Sequence, residues 1–162
     1  MSLPLRLGAV AATLSLLASG ALAGAVQASP TARVADTCAL YAPSKTAVEK
    51  VFGKGEQQPP IAEKEFCYVT GTYGSVKIYP YPARQAKRRQ SEWSSGLASY
   101  GRKVSKSHPA HLGKGATLLH TPRDSEVALW FTRGGHFVVI STAFGGTSAQ
   151  VVAFARLIYA KL

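Results

Sequence analysis

Asparagine is absent from this sequence of 162 residues, and acidic side chains are few. Without asparagine the chain has no acceptor for N-glycosylation and no Asn side chain that could orient a catalytic group. Eight Asp and Glu stand against 19 Lys and Arg, so the formal net charge is +11 at pH 7. Such an excess of positive charge draws a protein to anionic polymers and surfaces. Charge that only keeps the protein dispersed is the alternative interpretation.

The sequence also lacks the short motifs of common hydrolases and nucleotide-binding proteins. It contains no GxSxG, HExxH or GxxxxGK[ST] segment, and its two cysteines are too far apart to form a CxxC pair. These absences exclude a nucleophile elbow, a zinc-protease helix and a loop that cradles phosphates. We therefore predict no catalytic residue and no cofactor.

Four histidines are the remaining candidates for metal binding. His108 and His111 are the closest pair along the chain, but their charged neighbours are Lys106 and Lys114. A zinc site needs a third or fourth ligand, and nearby cations repel the metal. We predict loop histidines and no metal site.

An acid–base trio is a second use for histidine. His120, Glu126 and His136 could act together, as in a ribonuclease, if the three side chains met at one rim of a sheet. No feature of the sequence indicates that they meet.

The first 28 residues have the features of a secretory signal peptide. One early cation, Arg6, precedes an apolar run over residues 7–17, and small residues follow at Ala23 and Ala28. Cleavage after Ala28 would leave 162 − 28 = 134 residues, and cleavage after Ala23 would leave 162 − 23 = 139. An uncleaved anchor is the alternative, but the run is short, and no later stretch reaches the ~20 apolar residues of a span. We expect a protein that is secreted, extracellular or associated with the cell envelope, with a signal peptide at 1–28, a flexible lead-in at 29–37 and one domain at 38–162.

Cys38 and Cys67 are the two cysteines of the chain. In an exported protein an even number of cysteines favours a disulfide. A closed loop of about 30 residues would restrict the unfolded chain by roughly 3–4 kcal/mol. Two unlinked, buried thiols are the alternative.

The strongest local signal is a β-hairpin over residues 126–144, centred on Gly134 and Gly135. Two glycines supply the positive φ angles that a tight hairpin turn requires. Alternation predicts two apolar faces, because it pairs Phe131 with Val138 on one face and Trp130 with Val139 on the other. Such a hairpin must lie centrally in a sheet that helices cover on one side and at least partly on the other.

Weaker signals indicate the remaining elements. Helices are predicted over residues 45–52, 83–100 and 147–162, and strands over 66–70, 75–79, 102–107 and 116–120. Pro80 and Pro82 are expected to end the second of these strands. Hairpins separated by helices favour an α+β fold, with helices packed on an antiparallel sheet.

Several segments resemble a family of actinobacterial envelope proteins. These segments are Cys38 before a short helix that ends at Gly53, the triplet Phe66-Cys67-Tyr68, the LGKGA segment, and the final hairpin and helix. They are similar to segments of the LpqN-like lipoproteins and of the extracellular sensor domains of receptor kinases. The resemblance implies a PsbP-like α/β/α sandwich and a disulfide between the two cysteines, and it carries over no catalytic residue. Members are often lipoproteins, but residues 35–38 are not a lipobox, so free secretion is expected.

The densest charge lies between residues 84 and 114, where Glu92 is the single acid among eight cations. Tyr79, Tyr81 and Tyr100 are close in sequence and would suit stacking on bases or sugars. A helix face exposed to solvent would explain the cations from Arg84 to Arg89, but it explains less well why the cations continue to Lys114. We predict an anion-binding surface made of Arg84, Lys87, Arg88, Arg89, Arg102, Lys103, Lys106 and Lys114.

These features together indicate a secreted, non-enzymatic binding or sensor-like module at the cell envelope. Its partner would be an anionic envelope polymer or an envelope protein, and nucleic acid would be bound without sequence preference. A small secreted basic enzyme that acts on RNA or a wall glycan is the alternative. An enzyme would bring two or more histidines to a carboxylate in one cleft, so geometry separates the two hypotheses.

Overall fold

The computed structural model describes residues 38–54, 60–63, 65–99 and 103–162. The predicted signal peptide and lead-in lie outside these residues, as do Tyr100 and Arg102. The described strands are β1 (Ile61–Ala62), β2 (Cys67–Gly71), β3 (Gly74–Pro82), β4 (Ser105–Ser107), β5 (Thr117–His120), β6 (Val127–Arg133) and β7 (His136–Gly145). They form one antiparallel sheet in the order β1-β2-β3-β7-β6-β5-β4.

The helices α1 (Lys45–Phe52), α2 (Ala86–Ser99) and α3 (Ser148–Lys161) accompany the sheet, and residues 38–41 form a further short helical segment. The side chain of Ser44 caps α1 by accepting a hydrogen bond from the Ala47 amide. Thr147 and Gln150 form a reciprocal capping box at the start of α3. Caps of this kind satisfy amides that have no partner inside the helix. The α+β fold expected from the sequence is confirmed.

The predicted hairpin is the centre of the sheet, and its register is confirmed. Leu129 pairs with Ile140, Trp130 with Val139 and Phe131 with Val138. Gly134 and Gly135 have φ angles of 57° and 81°, which an L side chain rarely adopts. The turn therefore depends on both glycines.

The sheet buries an apolar cluster on each of its faces. On the disulfide face, α1, α3 and the helical residues 38–41 cover Phe131, Ile140 and their neighbours. On the other side, which we call the α2 face, Leu97 of α2 packs with Trp130 and Val139. Trp130 and Phe131 are 3% and 0% exposed, on opposite faces, because adjacent strand residues point to opposite sides. The layers are thus helix, sheet and helix.

The expectation that Pro80 and Pro82 end their strand is wrong, because β3 continues through both residues. Pro80 pairs with Val138 and Pro82 with His136 of β7. On its other edge, β3 pairs with β2 only as far as Ile78. Proline is tolerated on such an open edge, where a missing N–H breaks no ladder bond.

The disulfide between Cys38 and Cys67 is present, which makes the alternative of two free thiols wrong. The Cα atoms are 5.3 Å apart, and both cysteines are buried in the cluster of the disulfide face. The bond ties the residues before α1 to β2 across a sequence separation of 29. No helix in the described part of the chain is long and apolar enough to cross a bilayer.

Phe131 offers a direct test of the two-sided sheet. The Phe131→Ala variant should lose about 3–5 kcal/mol of unfolding free energy, because the cavity lies in the middle of a closed cluster. Denaturant unfolding measures the loss, and Thr132→Ala, at an exposed position of the same strand, serves as the control. A loss below about 1 kcal/mol would contradict the burial.

Reduction of the disulfide should lower the unfolding free energy by about 3–4 kcal/mol, because the reduced unfolded chain is no longer restricted by the loop. The measurement is denaturant unfolding with and without reductant. A variant with both Cys38→Ala and Cys67→Ala should not respond to reductant. Two thiols that react with an alkylating agent in the unreduced protein would contradict the bond.

Candidate functional site

The exposed side of α2 carries the first cations of the predicted surface. Ala86, Trp93 and Leu97 recur at helical spacing and pack on the sheet, so the opposite side of the helix faces solvent. Arg84, in the 3₁₀ turn Ala83–Gln85 that leads into α2, and Lys87 and Arg88, in its first turn, are exposed. We call these three residues the basic face.

The basic face borders a shallow groove whose remaining lining is Ser91, Glu92 and Ser95. Glu92 Oε1 lies 3.3 Å from Arg88 Nε, but the two side chains are 47% and 63% exposed. An ion pair this open to water contributes little, and it leaves the positive potential of the face largely in place.

Arg89 has a different environment from the other cations of α2. Its side chain is 28% exposed, and its Nη1 donates a 2.8 Å hydrogen bond to Oε2 of Glu92. Its guanidinium carbon also lies 4.3 Å from the centre of the Tyr81 ring. Arg89 is thus held by protein partners and is not available to an anion as the basic face is.

The other predicted cations divide between the two sides of the sheet. Lys106 in β4 pairs with Leu119, whose side chain belongs to the α2 face, so Lys106 is on that side as well. Lys103 is exposed and precedes Val104, which packs against the same cluster. Lys114, in contrast, lies in a loop whose Leu112 is buried on the disulfide face.

Lys114 is therefore separated from the basic face by the sheet. The anion-binding role predicted for the eight cations from Arg84 to Lys114 stays a prediction. Arg102 is outside the described residues, so its placement stays a prediction.

The histidines do not come together. His108 Nδ1 is 3.0 Å from the Ala116 carbonyl oxygen, and His136 Nδ1 lies within hydrogen-bond distance of the Tyr41 hydroxyl. His111 is exposed in the left-handed region, with φ 66°. The described residues contain no group of three His, Cys, Asp or Glu side chains that could hold a metal.

The trio of His120, Glu126 and His136 is not assembled either. His120 pairs with Val127 at one end of β6, whereas His136 pairs with Arg133 at the other end. Six residue steps along a strand span about 20 Å. Proton transfer between groups so far apart is excluded.

A cleft of about 440 Å³ opens where α2 crosses the sheet. Alternate residues of β3 point to this side of the sheet, and α2 covers them incompletely. The floor is formed by Lys77, Tyr79, Tyr81, Glu126 and Ser141, and the wall by Arg89, Glu92, Trp93, Gly96 and Leu97.

The two tyrosines of the floor remain neutral hydrogen-bonding groups. Burial raises the pKa of Tyr79, and Tyr81 adds to the rise, while a hydrogen bond with Ser141 opposes it. Burial also raises the pKa of Tyr81, although the charge of Arg89 acts in the opposite direction. Each ring thus presents an aromatic surface and an uncharged hydroxyl.

Glu126 contributes the most unusual polar atom of the cleft. Its Oε2 atom is buried and has no hydrogen-bond partner. Buried carboxylate oxygens normally accept hydrogen bonds, because leaving them unpaired is costly. Glu126 lines the cleft as a residue, so its carboxylate is a candidate acceptor for the donor of a ligand, although Oε2 itself is closed to solvent.

The sequence did not single out this cleft. Its lining comes from β3, α2, the start of β6 and β7, which are distant along the chain. One signal was present, because Lys77 and Tyr79 lie on the same side of the strand predicted over 75–79, although Tyr81 lies beyond its predicted end. The missing information was that α2 lies over that side.

Asp124 fastens the turn before β6 to the start of α3. Its two carboxylate oxygens accept hydrogen bonds from the Ser148 amide at 2.7 Å and the Ser148 hydroxyl at 2.8 Å. His120 Nδ1 is 3.0 Å from Oδ1, within ion-pair distance but outside hydrogen-bond geometry. Burial acts to raise the pKa of Asp124, but the Ser148 hydrogen bonds and the charge of His120 lower it overall. Asp124 is thus a structural cap on α3, where the helix dipole also favours a negative charge.

No family model matches this sequence, and no curated protein matches it. A solved structure of a GTP-binding regulator from Thermotoga maritima covers 74% of this chain and 90% of its own, with 14% identity and a TM-score of 0.41. So distant a likeness says nothing about the ligand or activity of this chain. The resemblance to the LpqN-like family stays a prediction.

Asp124 should make folding stability depend on acid. A carboxyl whose pKa is lowered by folding stabilises the folded state above its unfolded pKa, and that contribution is lost as pH falls through the folded pKa. At pH 7, Asp124→Asn should cost about 0.5–1.5 kcal/mol, the usual range for one lost hydrogen bond, because Asn keeps one of the two acceptor oxygens. Below about pH 5 the stability of the wild type should decline towards that of the variant. Thermal unfolding from pH 7 to pH 2 measures both curves, and Glu49→Gln is the control.

Equal slopes for wild type and Asp124→Asn across the acidic range would contradict this role of Asp124.

Proposed function

We propose that this chain is an exported, non-enzymatic binding module that acts at the cell envelope and holds anionic polymers on the basic face of α2. The observation that carries the proposal is the position of Arg84, Lys87 and Arg88, side by side on the exposed side of one helix. Their shared groove contains one carboxylate, Glu92, which is already paired with Arg89.

The charges around this groove do not cancel. Arg84, Lys87, Arg88 and Arg89 against Glu92 leave a formal charge of 4 − 1 = +3. A polyanion that neutralises these cations is released from its own counterions, which favours binding without any sequence readout. Lys106, on the α2 side of the edge strand, would extend the same field.

Two further features support a binding role at the envelope. The Cys38–Cys67 disulfide is compatible with an oxidising, extracellular compartment. The sequence begins with the pattern of a signal peptide.

The alternative, a basic enzyme that acts on RNA or a wall glycan, has less support. In the described residues one histidine, His120, lies beside a carboxylate, and that carboxylate, Asp124, is occupied in capping α3. His108, His111 and His136 are elsewhere, with backbone, solvent or tyrosine as neighbours. The scattering favours binding over catalysis.

A triple variant of the basic face tests the proposal. Arg84→Gln, Lys87→Gln and Arg88→Gln together should leave the fold intact, because exposed charges contribute little to stability. Binding to a wall teichoic acid should weaken, and the slope of log K against log salt should become shallower by about 2–3, the sum over three lost contacts. Arg89 stays unchanged in this variant, since it is held by Tyr81 and Glu92.

The matched control removes the same charge from the disulfide side of the molecule. Lys45→Gln, Lys50→Gln and Lys54→Gln lie in or just after α1 and are exposed. An equal loss of affinity in both triple variants would show that only net charge matters. Binding that does not respond to salt would overturn the proposal, and cleavage of single-stranded RNA by the wild type would favour the enzyme.

A further inference from the structure

The cleft between α2 and the sheet is a second site, distinct from the basic face in chemistry. Aromatic contacts set its shape: the Tyr79 ring lies 5.1 Å from Trp93, edge to face, and 6.5 Å from Tyr81, with the two tyrosine planes 10° apart. Tyr81 also stacks on the buried Phe137 at 6.4 Å. Because these rings brace one another, the cleft is formed before any ligand arrives. Its volume of about 440 Å³ is within the ~300–1,000 Å³ of small-molecule sites.

The charges of this cleft cancel, unlike those of the basic face. Lys77 and Arg89 stand against Glu92 and Glu126, a formal sum of 2 − 2 = 0. Arg89 is paired with Glu92 at 2.8 Å, and the Lys77 ammonium lies 4.7 Å from the centre of the Phe66 ring. Because the charges of the lining cancel, the cleft as a whole favours neither an anionic nor a cationic ligand over a neutral one.

The unpaired Oε2 atom of Glu126 sets the first requirement on a ligand. A carboxylate can only accept hydrogen bonds, so the ligand must present an O–H or N–H group. A ligand donor would reach this oxygen once the Glu126 side chain turned towards the cleft, and the charge-assisted hydrogen bond would remove the penalty of leaving it buried and unpaired. The hydroxyls of Tyr79 and Ser141 lie in the same lining and can donate or accept.

The aromatic rings set the second requirement. Tyr79, Tyr81 and Trp93 offer partly exposed apolar surface that a flat, weakly polar ligand face would cover. A pyranose ring meets both requirements, because its C–H face is apolar while its rim carries several hydroxyl donors. A purely apolar ligand would leave Glu126 unpaired.

We propose that this cleft binds a neutral sugar unit, with its hydroxyls on Glu126 and its ring face on the Tyr79 and Trp93 side chains. The site does not rest on the basic face, since none of Arg84, Lys87 and Arg88 lines it. Glu92 borders both sites and is left unchanged in the tests below.

The test titrates the mature protein with glucose, galactose, N-acetylglucosamine and their β-linked disaccharides. Binding is followed by the fluorescence of Trp93 and by calorimetry, because the other tryptophan, Trp130, is 3% exposed. Glucosamine and glucuronate are the charged comparison ligands. At least one neutral sugar should bind with a Kd of about 1 mM or tighter, and better than both charged ligands.

Two variants locate the site. Glu126→Gln keeps the side-chain shape but loses a carboxylate oxygen, so affinity should fall about tenfold or more. Gly96→Phe should block the cleft, because Gly96 lines it. A Cβ added at Gly96 meets nothing within 4 Å, and replacing a helical glycine does not weaken the helix. Glu49→Gln, on α1, is the matched control and should bind like the wild type.

The outcomes are separable from those of the basic face. The triple variant of Arg84, Lys87 and Arg88 should bind sugar normally even where it fails to bind a polyanion. Failure of every neutral sugar to bind, a preference for glucosamine or glucuronate, or equal affinity in Glu126→Gln, Gly96→Phe and wild type would each overturn the proposal.

Discussion

The central hairpin of β6 and β7 is apolar on both faces, and the rest of the structure depends on covering both of them. Phe131 and Ile140 point to one side, and Trp130 and Val139 to the other, all nearly inaccessible to solvent. Burial of such side chains is the main favourable term in folding. Helices on one side only would leave the other apolar face of the sheet exposed to water, so helices on both sides are required. The disulfide is buried in one of these two layers and closes the chain over it.

The two layers are unequal, and the inequality creates the candidate sites. The disulfide face is covered by α1, α3 and residues 38–41, whereas α2 alone accompanies the other face in the described structure. A helix with a narrow apolar stripe buries little of itself and leaves part of the sheet uncovered. Its outward side carries Arg84, Lys87 and Arg88, and its uncovered flank leaves the cleft. The two surfaces are neighbours that differ in electrostatics, because Arg89 and Glu92 neutralise each other between them.

Residues with the same charge differ in whether they already interact with other groups of the protein. Arg88 and Arg89 are adjacent and equally charged, yet Arg89 stacks on Tyr81 while Arg88 stays open to solvent. Asp124 and Glu126 are two residues apart, yet Asp124 is saturated by Ser148 while an oxygen of Glu126 is buried without a partner. An occupied group supports the fold, and an unoccupied one is available to a ligand. Whether a polar group already has a partner therefore indicates its role better than its residue type does.

The sequence by itself determined the features that depend on neighbours along the chain. Alternation around Gly134 and Gly135 set the hairpin register, helical spacing and caps set the three predicted helices, and two cysteines left one possible pairing. The features that depend on contacts between distant segments were decided by the tertiary structure alone. It let β3 continue through Pro82 because its outer edge was open, separated Lys114 from the α2 cations by the thickness of the sheet, and enclosed the cleft around Glu126. Local periodicity specifies which side of an element a residue occupies, but the sequence pattern does not state which other element will cover that side.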